Sequence, residues 1–226
     1  MAKTSKDTKD FYKKSWLEKR LLIKNLYSFN HQWNLIVNDI FKSRIENYYF
    51  IPTEEIIKIR KWNWEWFSIV WLECILIETI WAFEEWLIFN QNKWKNWPSY
   101  EYKSSQEIFT SYLNKYFPTF FDESKSILFF QKVRCWILHE WRTKNLWKIN
   151  TRYWNEKIDD TIINWSDSEN LIYRNNLFYS IKRNFELYSQ KLLENNSQWE
   201  ALRKNLWRKL DHMFEIDDHT WFDWWQ

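Results

Sequence analysis

A chain of 226 residues is long enough for one domain, or a domain with an extension, and for a sizeable core. A net charge of +3 is too weak to demand nucleic acid as a partner, and the 2 cysteines, Cys74 and Cys135, carry no paired spacing for zinc and suit a reducing compartment. The 20 tryptophans, with no glycine at all, fit no ordinary class of globular chain.

In chain order, residues 1–24 carry eight basic residues (Lys3, Lys6, Lys9, Lys13, Lys14, Lys19, Arg20, Lys24) against three acids, Asp7, Asp10 and Glu18. A solvated basic tail is the plain reading, and an arm attracted to RNA the sharper one. There is no secretory apolar stretch here, so a cytoplasmic protein is expected. Residues 1–50 are predicted helical, with breaks near Asn30-His31 and Asn47-Tyr48. Residues 1–52 thus read as an N-terminal helical extension to a domain over 53–215. Pro52-Thr53-Glu54-Glu55 starts a further segment towards residue 62. The apolar stretch Trp66 to Phe83 is interrupted by Glu73 and Glu78, so it reads as a buried core helix and not a membrane span. Ser104 with Glu107, Ser166 with Glu169 and Ser197 with Glu200 each form the capping-box pattern of a helix start, and Asp122 is placed to cap a helix through Glu140. Residues 146–153 and 158–164, rich in Ile, Thr and Tyr, predict a β-hairpin turning at Trp154-Asn155-Glu156-Lys157. The helix announced by Ser166 gathers Leu171, Phe178, Ile181, Phe185, Tyr188 and Leu192 near one face, which must pack on other helices. The expected fold class is therefore mainly α, a helical bundle with one small β-hairpin at about 146–164. An acidic tail, 216–226, closes the chain.

Glycine at its usual frequency would appear about 16 times in such a chain, wherever the backbone needs positive φ or close approach. Several tryptophans stand where glycine belongs: Trp94 and Trp97 in the loop Asn92 to Pro98, Trp154 before Asn155, and Trp165 between Asn164 and Ser166. Alanine occurs only at positions 2, 82 and 201, while Lys, Asn, Ile, Phe and Tyr abound, as an AT-rich gene would produce. Most of these tryptophans are accordingly read as glycines encoded by UGA. Trp147 and Trp207 sit in patterns that tolerate an indole and are read as tryptophan. A chain that is Trp-rich in fact would instead present an aromatic interaction surface.

The stretch with most chemical content is Val133-Arg134-Cys135-Trp136-Ile137-Leu138-His139-Glu140-Trp141-Arg142-Thr143-Lys144-Asn145. At about 100° per residue, Arg134 falls within about 40° of Ile127, Phe130 and Leu138, on the face turned to the core or a partner. A guanidinium there needs an anionic ligand or a buried carboxylate, and Glu78 is the obvious structural partner. His139 is about 140° round the helix from Arg134, so the two side chains of one copy do not meet on a regular helix. In the last helical turn the helix dipole favours its imidazolium; a surface histidine ending a helix is the plainer reading. The four histidines, at 31, 139, 212 and 219, have no metal-ligand spacing. Asp211, His212, Glu215, Asp217, Asp218 and His219 read as acidic tail before they read as a metal site, and neither metal nor cofactor is expected.

Arg134, four residues, then His139 matches the Arg-x(4–6)-His pattern of the HEPN superfamily of helical ribonucleases and nucleotide-associated proteins. With glycine at 136 and 141, this string and the upstream Cys74-Ile75-Leu76-Ile77-Glu78 resemble a group of uncharacterised bacterial HEPN-like proteins, over roughly residues 53–215. The resemblance implies metal-independent RNA cleavage at a composite site formed where two protomers meet. His139 would exchange protons with the 2′-hydroxyl or the leaving oxygen, and Arg134 would hold the scissile phosphate. Arg142 and Lys144 would bind substrate. It also implies a homodimer with RNA as partner, no membrane, and an antitoxin or defence partner. Cys135 departs from the polar residue that often follows the arginine in the family. That departure favours the alternative, a non-catalytic HEPN-like module that dimerises and binds RNA or nucleotides.

Overall fold

A computed structural model of the chain describes residues 5–23, 31–59, 65–90, 99–140, 142–144, 146–150 and 160–216. The predicted loop at 92–98 and hairpin turn at 154–157, Trp141 and the acidic tail with His219 lie wholly or almost wholly outside these residues. Among the described residues the fold is mainly α, with seven helices and two small sheets.

Helix α1, Ser5–Arg20, buries Tyr12, Trp16 and Arg20 on one face. Residues 31–59 form a single helical rod, α2, in which π stretches at Ile36–Lys42 and Glu46–Phe50 interrupt the α register. The break expected near Asn47-Tyr48 is the second of these stretches. Pro52 follows it closely; its ring crowds the carbonyl four residues back, and a wider turn there gives it room. The rod also runs through position 52, so the expected boundary between extension and domain falls inside one helix. Arg20 and Asp211 bind α1 to the last helix, and one apolar cluster reaches from Tyr12 to Ile216.

Helix α3, Glu65–Glu84, is long and apolar enough to cross a membrane by length and composition alone. Here it is the central core helix: Ile69, Val70, Leu76, Ile77 and Ile80 are buried, and so are Glu73 and Glu84. Around it pack α2, α4 (Ser105–Tyr116), α6 (Arg174–Leu193) and α7 (Glu200–Met213). Phe50 meets Phe178 and Phe41 meets Tyr188, so α2 and α6 run antiparallel. Helix α7 closes the C-terminal end of α3, where Asn205 donates to the Glu84 carbonyl (2.7 Å) and Lys209 to that of Leu87. These bonds satisfy carbonyls that a helix end leaves without partners.

Ser104 caps α4 as predicted, accepting from the Gln106 amide. The start predicted at Ser197 is shifted by one: Asn196 caps a 3-10 turn, Ser197–Trp199, that leads into α7. The capping box at Ser166 is a larger error. Its hydroxyl accepts from the Ser168 amide while its own amide donates to the Asn170 side chain, so the segment turns between two strands. The strands are β4, Ile163–Asn164, and β5, Asn170–Tyr173, paired antiparallel, and α6 starts only at Arg174. The predicted stripe holds from Phe178 to Leu192, all buried, while Leu171 belongs to β5. Strand β3, Trp147–Asn150, pairs with β5 in parallel, in the order β3-β5-β4. The small β unit after the motif helix is thus present, but among the described residues its antiparallel pair is β4 with β5, and β3 lies on the other side of β5 and not beside β4. Strands β1, Ile88–Phe89, and β2, Glu101–Tyr102, form a second, parallel pair that the sequence reading missed.

Candidate functional site

The motif lies on α5, residues 123–140. Asp122 accepts from the Lys125 amide (2.8 Å) and starts this helix, as its sequence position predicts. The helix passes through a π stretch, Phe130–Arg134, and returns to α geometry at Cys135–Glu140. Such π stretches often mark functional positions, because the extra residue per turn re-aims the side chains beyond it. Arg134 is the last residue of this one.

Arg134 reaches α3. Its Nε donates to Oε1 of Glu78 at 2.8 Å and its Nη2 to Oε2 at 3.3 Å, a two-pronged bond of the kind a guanidinium makes best. Both side chains are 19% exposed. The Arg134 guanidinium also lies 5.2 Å from the ring of Phe130, one turn back. Burial works against its charge, and the hydrogen bond and charge of Glu78 outweigh this, so it holds its proton more tightly than usual. Tyr102 on β2 stands in the same field: burial, and then the Glu78 charge, push its hydroxyl pKa up. Among the described residues nothing accepts from Nη1 of Arg134.

The two cysteines flank the pair, Cys74 one turn before Glu78 and Cys135 directly after Arg134. Burial raises the Cys74 thiol well above its ordinary value, which makes it a poor nucleophile. Both pack as small apolar residues in or against the core.

His139 is exposed in the last turn of α5. Among the described residues no hydrogen bond or ion pair joins it to Arg134. Four residues of α geometry lie between the two, which keeps the angle read from the sequence. Beyond the helix, the Lys144 amide donates to the Lys132 carbonyl (3.2 Å) and the Thr143 hydroxyl to the Trp147 carbonyl (2.8 Å), folding the chain back along α5. This sets Lys144 Nζ 4.4 Å and the Arg142 guanidinium 5.5 Å from the ring of Trp136. The predicted site residues therefore form two groups, Glu78 with Arg134, and Arg142 and Lys144 over Trp136, with His139 apart. Phe130 stands beside Arg134, on the face where helical phase placed it, while Tyr102 was missed because nothing local marked it.

No cluster of three or more metal-ligating side chains occurs among the described residues. Asp211 is not free for such a role: it accepts from Trp16 Nε1 (2.7 Å), Arg20 Nε (3.0 Å) and Nη2 (3.1 Å), and Trp207 Nε1 (3.1 Å). A cavity of about 190 Å³ lined by Asp160, Asn176, Tyr179, Ser180 and Arg183 shares no residue with the Arg134 group.

Two backbone positions bear on the question of glycine. Among the described residues, positive φ occurs at Trp86 (51°) and Glu215 (57°), and at neither Trp136 nor Trp165. Trp165, expected from sequence as a turn glycine, is half-buried; its Nε1 donates to the Phe120 carbonyl (2.8 Å) and its ring meets Trp147 and Phe121 edge-on. No protein-family model, curated protein or solved structure matches this chain.

Proposed function

We propose that this chain is a HEPN-like, metal-independent endoribonuclease of the defence or toxin type, acting as a homodimer. The observation that carries the reading is the state of Arg134: oriented by two bonds to Glu78, partly exposed, and with one nitrogen unspent, at a helix end that also presents His139. A guanidinium so fixed is set to hold a phosphodiester without reorganising. In the proposed reaction the 2′-oxygen of RNA attacks phosphorus, its proton passes to an imidazole, and the 5′-oxygen leaves as an alcohol, protonated by an imidazolium. The product pair is a 2′,3′-cyclic phosphate and a 5′-hydroxyl. Because Arg134 and His139 of one copy diverge, the His139 that acts beside a given Arg134 comes from a second copy. Arg142 and Lys144 add positive charge along the RNA path. Glycine at 136 and 141 belongs to this reading, since an indole at 136 occupies the space beneath those two cations. A cytoplasmic location and a cognate antitoxin or defence partner go with it.

The second reading, a non-catalytic RNA- or nucleotide-binding module, draws on the same ion pair: Glu78 already neutralises Arg134, and Cys135 follows it. Cleavage of RNA in the presence of a chelator, by protein carrying glycine at 136 and 141, separates the two. The first reading expects Arg134→Ala and His139→Ala each to lower the rate by about 10²–10⁴-fold. It also expects a dimer in sedimentation. Undiminished cleavage in both variants overturns it, and binding without cleavage selects the second.

A further inference from the structure

We propose that position 86 carries glycine in the natural chain, encoded by a UGA codon that the producing cell reads as glycine. At the end of α3 the Glu85 amide donates to the Trp81 carbonyl (3.0 Å) and the Leu87 amide reaches back five residues to the Ala82 carbonyl (2.9 Å). The second bond is the six-to-one closure of a Schellman motif, which requires the residue before the donor to be left-handed. That residue is Trp86, at φ 51°. Left-handed backbone disfavours any residue with a Cβ and suits glycine, which is why helices so often end on glycine at this position. A tryptophan there has a large side chain to accommodate as well as the backbone to bear. Tyr100, at 4.1 Å between ring centroids, and the Arg208 guanidinium, at 4.5 Å, enclose it.

Positive φ alone does not single out glycine, since Glu215 ends α7 in the same way: the Ile216 amide donates to the Asp211 carbonyl across it (3.0 Å). What distinguishes position 86 is its residue type set beside the composition. A chain with 0 glycines and 20 tryptophans places one of those tryptophans at the end of its central helix, in the backbone state glycine exists to fill.

Other tryptophans show the opposite signature. Trp16, Trp33 and Trp207 are fully buried, and each indole N–H has a buried acceptor: Asp211 for Trp16 and Trp207, and the Leu192 carbonyl (2.8 Å) for Trp33. Glycine there would leave a cavity the size of an indole and acceptors without a donor. UGG codons are therefore expected at 16, 33 and 207, and UGA at 86.

Two measurements decide it. The gene sequence gives the codon at 86, and the mass of the peptide spanning position 86, from protein isolated from the producing cell, gives the residue. UGA with the mass of glycine is expected. A UGG codon overturns the proposal, and so does UGA with the mass of tryptophan, which would mean that the cell decodes UGA as tryptophan. The backbone premise has its own check. Trp86→Gly and Trp86→Ala both remove the indole, and if position 86 is left-handed the glycine variant has a folding equilibrium about fivefold or more in its favour. Equal stability of the two removes the structural ground of the proposal. None of these outcomes depends on ribonuclease activity.

Discussion

Two of the carboxylates that tie helices together in this molecule, Asp211 and Glu78, are treated differently. Asp211 is fully buried and receives five hydrogen bonds, two from indoles and three from Arg20, so both oxygens are occupied and α1 is fastened to α7. Glu78 receives two bonds from a single arginine at the edge of the core, and that arginine keeps a donor in reserve. A saturated knot has nothing left to offer a ligand. The pair at Glu78 has, and it stands at the helix end that carries His139, Arg142 and Lys144. The contrast teaches that the degree of saturation, more than the presence of an ion pair, separates structural charge from charge available for chemistry.

The largest effect expected from this contrast is on the knot. Asp211→Ala leaves the Arg20 cation buried with its carboxylate gone and two indole N–H groups without acceptors, and should cost about 3–5 kcal/mol in urea unfolding. A loss below about 1 kcal/mol would show that α1 holds its place by apolar contact alone. Glu78→Gln should cost at most about 1 kcal/mol in stability, since both partners reach solvent. Its signature is kinetic. On the proposed ribonuclease reading, loss of the negative charge raises the attraction for RNA, while a looser guanidinium stabilises the transition state less, so KM and kcat should both fall, kcat by about tenfold. A purely structural Glu78 would leave both constants as they were.

The sequence made one side of this contrast legible and hid the other. Arg134 fell on the inward face of its helix by phase alone, and Glu78 was an acid on the most apolar helix, so their pairing followed from two local facts. The start of α5 at Asp122 and the buried face of α6 were equally local. Asp211 was read as part of an acidic tail because its partners, Trp16 and Arg20, are about 190 residues away and only the closed bundle brings them near. The strands failed for a related reason. Ser166 to Glu169 spells a capping box, but the same side chains can bond a turn, and the parallel partner that decides between them, β3, lies across a chain crossover. The end of α3 could not be read because Trp86 hides the residue type that announces such an ending.

A third carboxylate sharpens the comparison and carries the smallest prediction. Glu73 on α3 is fully buried, and neither of its oxygens has a hydrogen-bond partner. Arg174, the cation whose charge reaches it, has a buried Nη1 without a hydrogen bond, 3.8 Å from Oε1 of Glu65. Burial raises the Glu73 carboxyl well above its ordinary value of 4.5, and the charge of Arg174 only partly opposes this. A carboxyl whose pKa is raised by folding contributes stability that is fully present below about pH 4.5 and is lost as pH rises through the folded value. Glu73→Gln keeps the shape and removes the titration. Its stability relative to the parent chain should therefore rise from acid towards neutral pH, when both are unfolded by urea across that range. Parallel curves would mean that Glu73 keeps its charge in the fold, paired with Arg174, and would place it with Asp211 as a second satisfied knot. A widening gap would set it apart from both other carboxylates, as an acid that the core holds neutral.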